Sequence, residues 1–535
     1  MLNFASMRTL GWLWVSWLLL VTREQALPAA GLDGCDLVIR HGRVVDGTGA
    51  PAFHADVAIK NGHFVAVGNL GGIRAPEVDA SGLVVAPGFI DVHTHVEDIL
   101  EQPEAEHFLR MGVTTLITGN CGSSAPDIAA FFEAVEAKKI APNLASLIGH
   151  GGVREKAMGG SFNRPPSAAE LSLMKQAVAQ GMKDGALGLS TGLIYLPGTF
   201  AKTAELVELA RVVKASGGIY ASHLRDEGPE IRPALAEVFQ VARETGIRAE
   251  ISHLKLRGQA SWGQAAEILQ VLETARAEGL DITQDQYVYT AASTSIESLI
   301  LDEARTGGPE PFKAWLSRPA DKARVVADMK HRLQRSGRED YRYVVVADFP
   351  ADRSLNGLNL AEVALKLRNS SRLEAQIECI FEIYLRGGAT GVFHGLLEAD
   401  VRAFLAHPNT MAGSDSGLHR FQVGVPHPRG YGNHARVLGY YVRELKLLRL
   451  EEAVRKMTSL PAGVFRLAGR GQIREGFLAD AVVFDPATIQ DRATFEQPHQ
   501  YATGIAQVLV NGVLVIKNGQ PTGARPGQVL RGNCP

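Results

Sequence analysis

Only four of the 535 residues are cysteine, too few to make a disulfide scaffold in a chain of this length. Cys35 and Cys534 stand near the two ends, where an oxidising compartment would let them pair, while Cys121 and Cys379 are internal. Charge of one sign is also lacking. The formal net charge is −2, so neither nucleic acid nor an acidic surface is an expected partner. The apolar stretch near the start is short: fourteen uncharged residues separate Arg8 from Arg23. A membrane-spanning helix needs about 20. A charged start, an apolar middle and Ala26-Leu27-Pro28-Ala29-Ala30 fit a secretory signal peptide over residues 1–30, with an uncleaved membrane anchor as the alternative. The expected location is therefore outside the cell or in the secretory lumen, with membrane contact only through that segment. Asn369-Ser370-Ser371 is then either a glycosylation acceptor or a chance triplet.

What is present is ordinary globular material, 46% hydrophobic and 21% charged, and long enough for two domains or one barrel with additions. Short β-rich runs occupy residues 36–85, with Asn61-Gly62 as a hairpin turn. The same idiom returns near the C-terminus in 481–486, 507–510 and 513–516, around Asn511-Gly512. One small β-sandwich built from both chain ends, residues 34–85 and 471–525, is the expected arrangement. Between them strands alternate with amphipathic stretches at 168–181, 203–215, 231–245 and 263–278. Strands are expected at 83–93, 114–118, 144–148, 186–189, 219–222, 249–252, 282–285 and 410–413. That alternation predicts an α/β fold with a (β/α)8 barrel over 86–470. The long seventh connection predicts an inserted subdomain at 291–350, followed by helices.

Barrel chemistry sits at the C-terminal ends of the strands. The first strand ends in His93-Thr94-His95, whose imidazoles face one point if the strand persists, because residues i and i+2 share a side. Neutral imidazole is a good zinc ligand. The second strand ends in Asn120-Cys121-Gly122, the fifth in Ser222-His223 and the sixth in Ser252-His253. The eighth ends in Ser414-Asp415-Ser416. So many ligand types at corresponding topological positions point to a metal centre rather than to isolated structural histidines.

These motifs resemble the amidohydrolase superfamily and, within it, the N-acyl-D-amino-acid deacylases (D-aminoacylases). The resemblance rests on PGFIDVHTH, GNCG, STGLIYLPG, YASHLRDEG, ISHLK, QDQYVYTAAST, SDSG, HPRGYGNHARVLG and MTSLPAG, followed by GQIREGFLADAVVFDP, and spans about residues 34–520. Many binuclear relatives carry a bridging lysine at the end of the fourth strand. Here that strand reads GALGLSTG and has none. The resemblance implies that Cys121, as thiolate, takes its place, with His223 and His253 completing the tighter zinc site and His93 and His95 a second, weaker one.

Asp415 is the expected general base and acid, taking a proton from zinc-activated water and passing it to the departing amine. Its alternative role is a helix N-cap. An N-acyl amino acid substrate carries a carboxylate, which calls for a cation and hydroxyl donors. Lys255 and Arg225 stand two residues beyond His253 and His223, and Tyr195 and Tyr287 could add hydroxyls. Arg225 could instead pair with Asp226 or Glu227. His150 and Arg154 follow the third strand and are expected behind the ligands. The chain departs from the family pattern at Leu196 and at Gly432-Asn433-His434-Ala435, which bears on side-chain preference rather than chemistry. The expected reaction is hydrolysis of the amide of a small N-acyl-D-amino acid. A hydantoinase- or dihydroorotase-like cyclic amidase and a non-catalytic scaffold of the same fold are the alternatives.

Overall fold

The computed structural model describes residues 34–532; the expected signal segment and Cys534 lie outside them. Eight parallel strands form the barrel: Phe89–Asp91, Val113–Thr118, a third that runs from Asn143–Ser146 into Ile148–Gly149, Gly188–Gly192, Ile219–His223, Ala249–Ile251, Ile282–Gln286 and Thr410–Ala412. Neighbours pair in sequence around the ring. The eighth strand closes on the first through the Asp415 N–H bond to the His93 carbonyl, 2.8 Å, and the Ser416–Thr94 pairing. Closure thus falls on two of the motifs that carry metal-ligand residues.

The connecting helices form where the apolar period predicts them. Ala168–Lys183 starts at a Ser167/Glu170 capping box, each side chain satisfying a backbone N–H that the helix start leaves open, and buries Met174, Val178 and Met182 along one stripe. Thr203–Ala215 and Ile231–Thr245 bury Leu206, Leu209, Val213 and Leu235, Val238, Val241 in the same way. No helix among the described residues is long and apolar enough to cross a membrane.

The chain ends meet in one nine-stranded sheet. Val84–Pro87 is the seam, parallel to Leu37–Val44 on one side and antiparallel to Ala481–Phe484 on the other. Asn61-Gly62 and Asn511-Gly512 turn its hairpins with positive φ at both residues, the geometry that matches strand twist. Ile39, Val57 and Phe64 from one end share a core with Ala481, Val483 and Leu509 from the other. The alternate residues Val482 and Phe484 belong to the main barrel core instead. Asp480 fastens sheet to barrel, accepting from Arg470, from Asn143 Nδ2 at 3.2 Å and from the Asn511 N–H at 2.8 Å.

The insert is larger than its sequence suggested. Its three-stranded antiparallel sheet consists of Ala291–Ser295, Val344–Asp348 and Thr390–His394, and its separate core runs from Ala292 to Phe393. Thr390–His394 is the middle strand and hydrogen-bonds both others, so the unit cannot close near residue 350. The helices expected to follow the insert are part of it.

Candidate metal centre

The barrel mouth gathers His93, His95, Cys121, His223, His253 and Asp415. Cys121 Sγ lies 3.3 Å from His93 Nε2, 3.3 Å from His253 Nε2 and 3.6 Å from His223 Nδ1. Asp415 Oδ1 lies 3.2 Å from His95 Nε2 and 3.6 Å from His93 Nε2. Ligand atoms of three overlapping triplets, His93–His95–Cys121, Cys121–His223–His253 and His93–His253–Asp415, lie within 4.8 Å of one another. Cys121 is common to the first two.

Strand geometry alone does not aim these groups. Cys121, His253 and Asp415 all adopt left-handed backbone, with φ of 52°, 38° and 53°. Each such non-glycine residue costs about 1–3 kcal/mol and persists where its surroundings over-determine it. Here they do. The Gly122 N–H donates to Ser190 Oγ at 3.0 Å, the Leu254 N–H to the Asp285 carbonyl at 2.8 Å and the Asp415 N–H to His93. A side chain on Gly122, itself at φ 76°, would come within 2.7 Å of the Gly192 nitrogen.

Carboxylates behind the imidazoles fix their orientation. Asp285 Oδ2 lies 3.1 Å from His93 Nδ1, which leaves Nε2 for Cys121. Burial, and then the neighbouring Asp285 carboxylate, push the Glu250 carboxyl well above the usual range. Glu227 serves the other side, with Oε1 at 3.1 Å from His253 Nδ1 and Oε2 at 3.7 Å from His223 Nε2. Asp91, whose carboxyl burial raises to about 7, accepts from the His93 and Ser414 N–H groups and so ties the first strand end to the eighth.

The donor set suits a zinc ion. Burial keeps the His93 and His223 imidazoles neutral, the form that binds metal. Burial also pushes the Cys121 thiol up, so a thiolate there calls for a cation beside it. Burial works to raise Asp415 too, but Arg429, with Nη1 at 2.8 Å from Asp415 Oδ2, together with the histidines holds that carboxyl well below the usual range. Asp415 is ionised and able to accept a proton.

The expected substrate contacts divide. Tyr195 borders a cavity of about 810 Å³ in front of the cluster, its hydroxyl 3.0 Å from Thr294 Oγ1 and its ring edge-on to His223. Tyr287 is buried, its hydroxyl has no hydrogen-bond partner among the described residues, and its ring lies under Arg429 at 4.5 Å. Lys255 stands behind His253 instead, with Nζ 2.5 Å from Glu227 Oε1 and 2.8 Å from His253 Nδ1. The i, i+2 rule that placed it at the mouth needs a continuing strand. This one stops at Ile251 and turns through left-handed His253. Arg225 likewise lies past the fifth strand and turns to Glu237, 2.9 Å, and the Thr199 and Ala201 carbonyls. Neither Asp226 nor Glu227 is its partner.

His150 and Arg154 both meet Glu205, at 2.8 and 3.1 Å, and brace the cavity wall rather than a ligand. Leu196 borders the cavity. Asn433 is buried in a helix, where it holds the Gly413 carbonyl and the Val288 N–H. Sequence reasoning missed Asp91, Glu227, Asp285 and Arg429. Each lies inside a motif quoted above, but its partner is distant in the chain.

Residues 76–280 and 361–516 match the amidohydrolase family, and the unmatched stretch between them falls largely in the insert. The chain is 36% identical over 521 residues to a D-aminoacylase of Alcaligenes xylosoxydans xylosoxydans, covering 92% of this chain and 97% of that one. It is 37% identical to an N-acyl-D-glutamate deacylase of the same organism, covering 93% and 96%. A solved N-acyl-D-glutamate deacylase from Bordetella bronchiseptica, complexed with zinc and a phosphonate mimic of the tetrahedral intermediate, superposes with a TM-score of 0.80 at 35% identity, covering 93% of this chain and 99% of that one.

Proposed function

The chain belongs to the amidohydrolase family, and from that membership we propose that it is a zinc-dependent hydrolase of N-acyl-D-amino acids, yielding a carboxylate and the free D-amino acid. The observation that carries this reading is the position of Cys121, in contact with His93, His223 and His253 while Asp415 faces the same histidines. Cys121, His223 and His253 would hold the tighter zinc. His93 and His95, sharing Cys121, would hold a weaker second ion.

Zinc bound there supplies a Lewis acid that makes water more acidic and polarises an amide carbonyl. The chain's own residues position groups and move the proton. Asp415 Oδ1 takes the proton of the attacking water and hands it to the departing nitrogen, a transfer worth about 10²–10⁴ in rate. Arg429 borders the cavity and, while countering Asp415, is placed to receive the substrate carboxylate, in the role expected of Lys255 and Arg225. Tyr195 borders the same cavity beside His223. A cyclic-amidase reading lacks its support, because the fourth strand, Gly188–Gly192, offers no bridging lysine.

The test is a stereochemical screen. The zinc-loaded protein should hydrolyse N-acetyl-D-amino acids, lose that activity to a chelator and regain it with zinc. Hydrolysis confined to L-substrates would overturn the reading. We also propose that the N-terminal segment directs the chain into the secretory route; its charged–apolar–small pattern supports this. N-terminal sequencing of the protein from its host should then begin downstream of residue 20 or so. An intact Met1 in a cytosolic fraction would refute secretion.

A further inference from the structure

Behind the metal centre, between the loop after the sixth strand and the insert, lies a second cavity of about 330 Å³. Five guanidinium groups line it: Arg225, Arg257, Arg332, Arg335 and Arg338. Three are already paired, Arg225 with Glu237 at 2.9 Å, Arg332 with Asp328 at 2.5 Å and Arg335 with Glu230 at 2.9 Å. Arg257 and Arg338 have no carboxylate within ion-pair distance among the described residues. Arg338 lies flat on Tyr343, 3.7 Å from the ring centroid, and donates to the His394 carbonyl at 2.9 Å.

The carboxylates that share this cavity are engaged elsewhere. Asp226 Oδ1 accepts from the Gly228 and Glu230 N–H groups, Glu227 binds Lys255 and His253, and Asp302 binds Arg305 at 2.5 Å. Glu227 favours the Arg257 charge from a distance without pairing with it. Arg338 is less fortunate. Burial and then the neighbouring Arg257 charge both work against its guanidinium. Two like charges in one half-buried cavity, neither of them in a salt bridge, leave room for an anion between them, and Arg338 gains most from one. Two planar forks match a doubly charged oxyanion better than they match any neutral ligand.

We propose that this cavity binds a small doubly charged oxyanion, a phosphate group or a dicarboxylate, gripped between Arg257 of the barrel loop and Arg338 of the insert. The seam is already close-packed: the Gly258 N–H donates to the Gly395 carbonyl at 3.3 Å, and a side chain on Gly258 would come within 2.9 Å of the Ser336 carbonyl. An anion there adds a tie between the barrel and the insert, which also walls the metal-site cavity through Asp348 and Thr390.

Calorimetric titration of the full zinc-loaded protein with inorganic phosphate and, separately, with succinate at fixed ionic strength tests this. Saturable binding of either probe is expected, weakened tenfold or more by Arg257→Gln and by Arg338→Gln while zinc content is preserved. Phosphate binding alone identifies a phosphate group, and succinate binding alone identifies a dicarboxylate. No saturable binding of either overturns the proposal. So does binding that survives both substitutions and is lost in Arg429→Gln, which places the anion at the metal pocket. Should Arg257→Gln not fold, Arg338→Gln and Arg338→Lys carry the same test, the lysine retaining charge without the fork and losing less affinity.

Discussion

The two halves of the metal cluster share one sulfur but differ in what stands behind them. His223 and His253 are buried and backed jointly by Glu227, which Lys255 anchors in turn. His93 is buried against Asp285, yet His95 has a third of its side chain exposed and, among the described residues, Asp415 as its one carboxylate partner. A ligand whose far nitrogen is fixed keeps its orientation and basicity, whereas one held from the front alone does not. The difference teaches that the better-supported half should keep its metal. Asp415 stands beside His93 and His95, on the half expected to exchange its metal.

Substitutions can break that contrast. The largest effect is expected from Cys121→Ser, which removes the donor common to the His93–His95 and His223–His253 halves. Elemental analysis after gel filtration should then find less than one zinc per chain, and a fully loaded protein would show that another residue joins the halves. Asp415→Asn should instead leave zinc in place and lower turnover by about 10³. Near-normal turnover in that variant would remove Asp415 from the proton path. Glu227→Gln should weaken the tighter zinc by about 10–100-fold, read by competition with a chromophoric chelator. If His95→Gln weakened it as much, the two halves would not differ. His95→Gln is expected to abolish only the second, weaker binding event in the same titration. The smallest effect belongs to the cavity wall. Leu196→Ala should change kcat/KM ratios among N-acetyl-D-amino acids by about tenfold, the lower end of what one methylene in an apolar pocket is worth, with metal content untouched.

How much of this was readable before folding depends on how far each signal travels. The strand–helix alternation, the asparagine–glycine hairpins and the ligands at the strand ends could be read because each rests on residues a few positions apart. His93 and His95 do converge, although their strand is formally over at Asp91, because Ser416 and Gly417 extend the pairing past it. Lys255 and Arg225 were misplaced by the same rule applied where no such pairing continues the strand. The insert was cut short because the strand that closes it, Thr390–His394, pairs with residues about a hundred positions earlier.

The sequence by itself determined the fold class, the ligand types and the carboxylate that ends the eighth strand among them, since periodicity and residue chemistry are local properties. Only the tertiary structure decided that Arg429 borders the cavity while Lys255 stands behind a ligand. It also decided that Cys121 joins both halves and that Glu227 and Asp285 orient them. Those outcomes depend on left-handed turns at Cys121, His253 and Asp415, and on partners brought together across the barrel. No short stretch of chain carries that information.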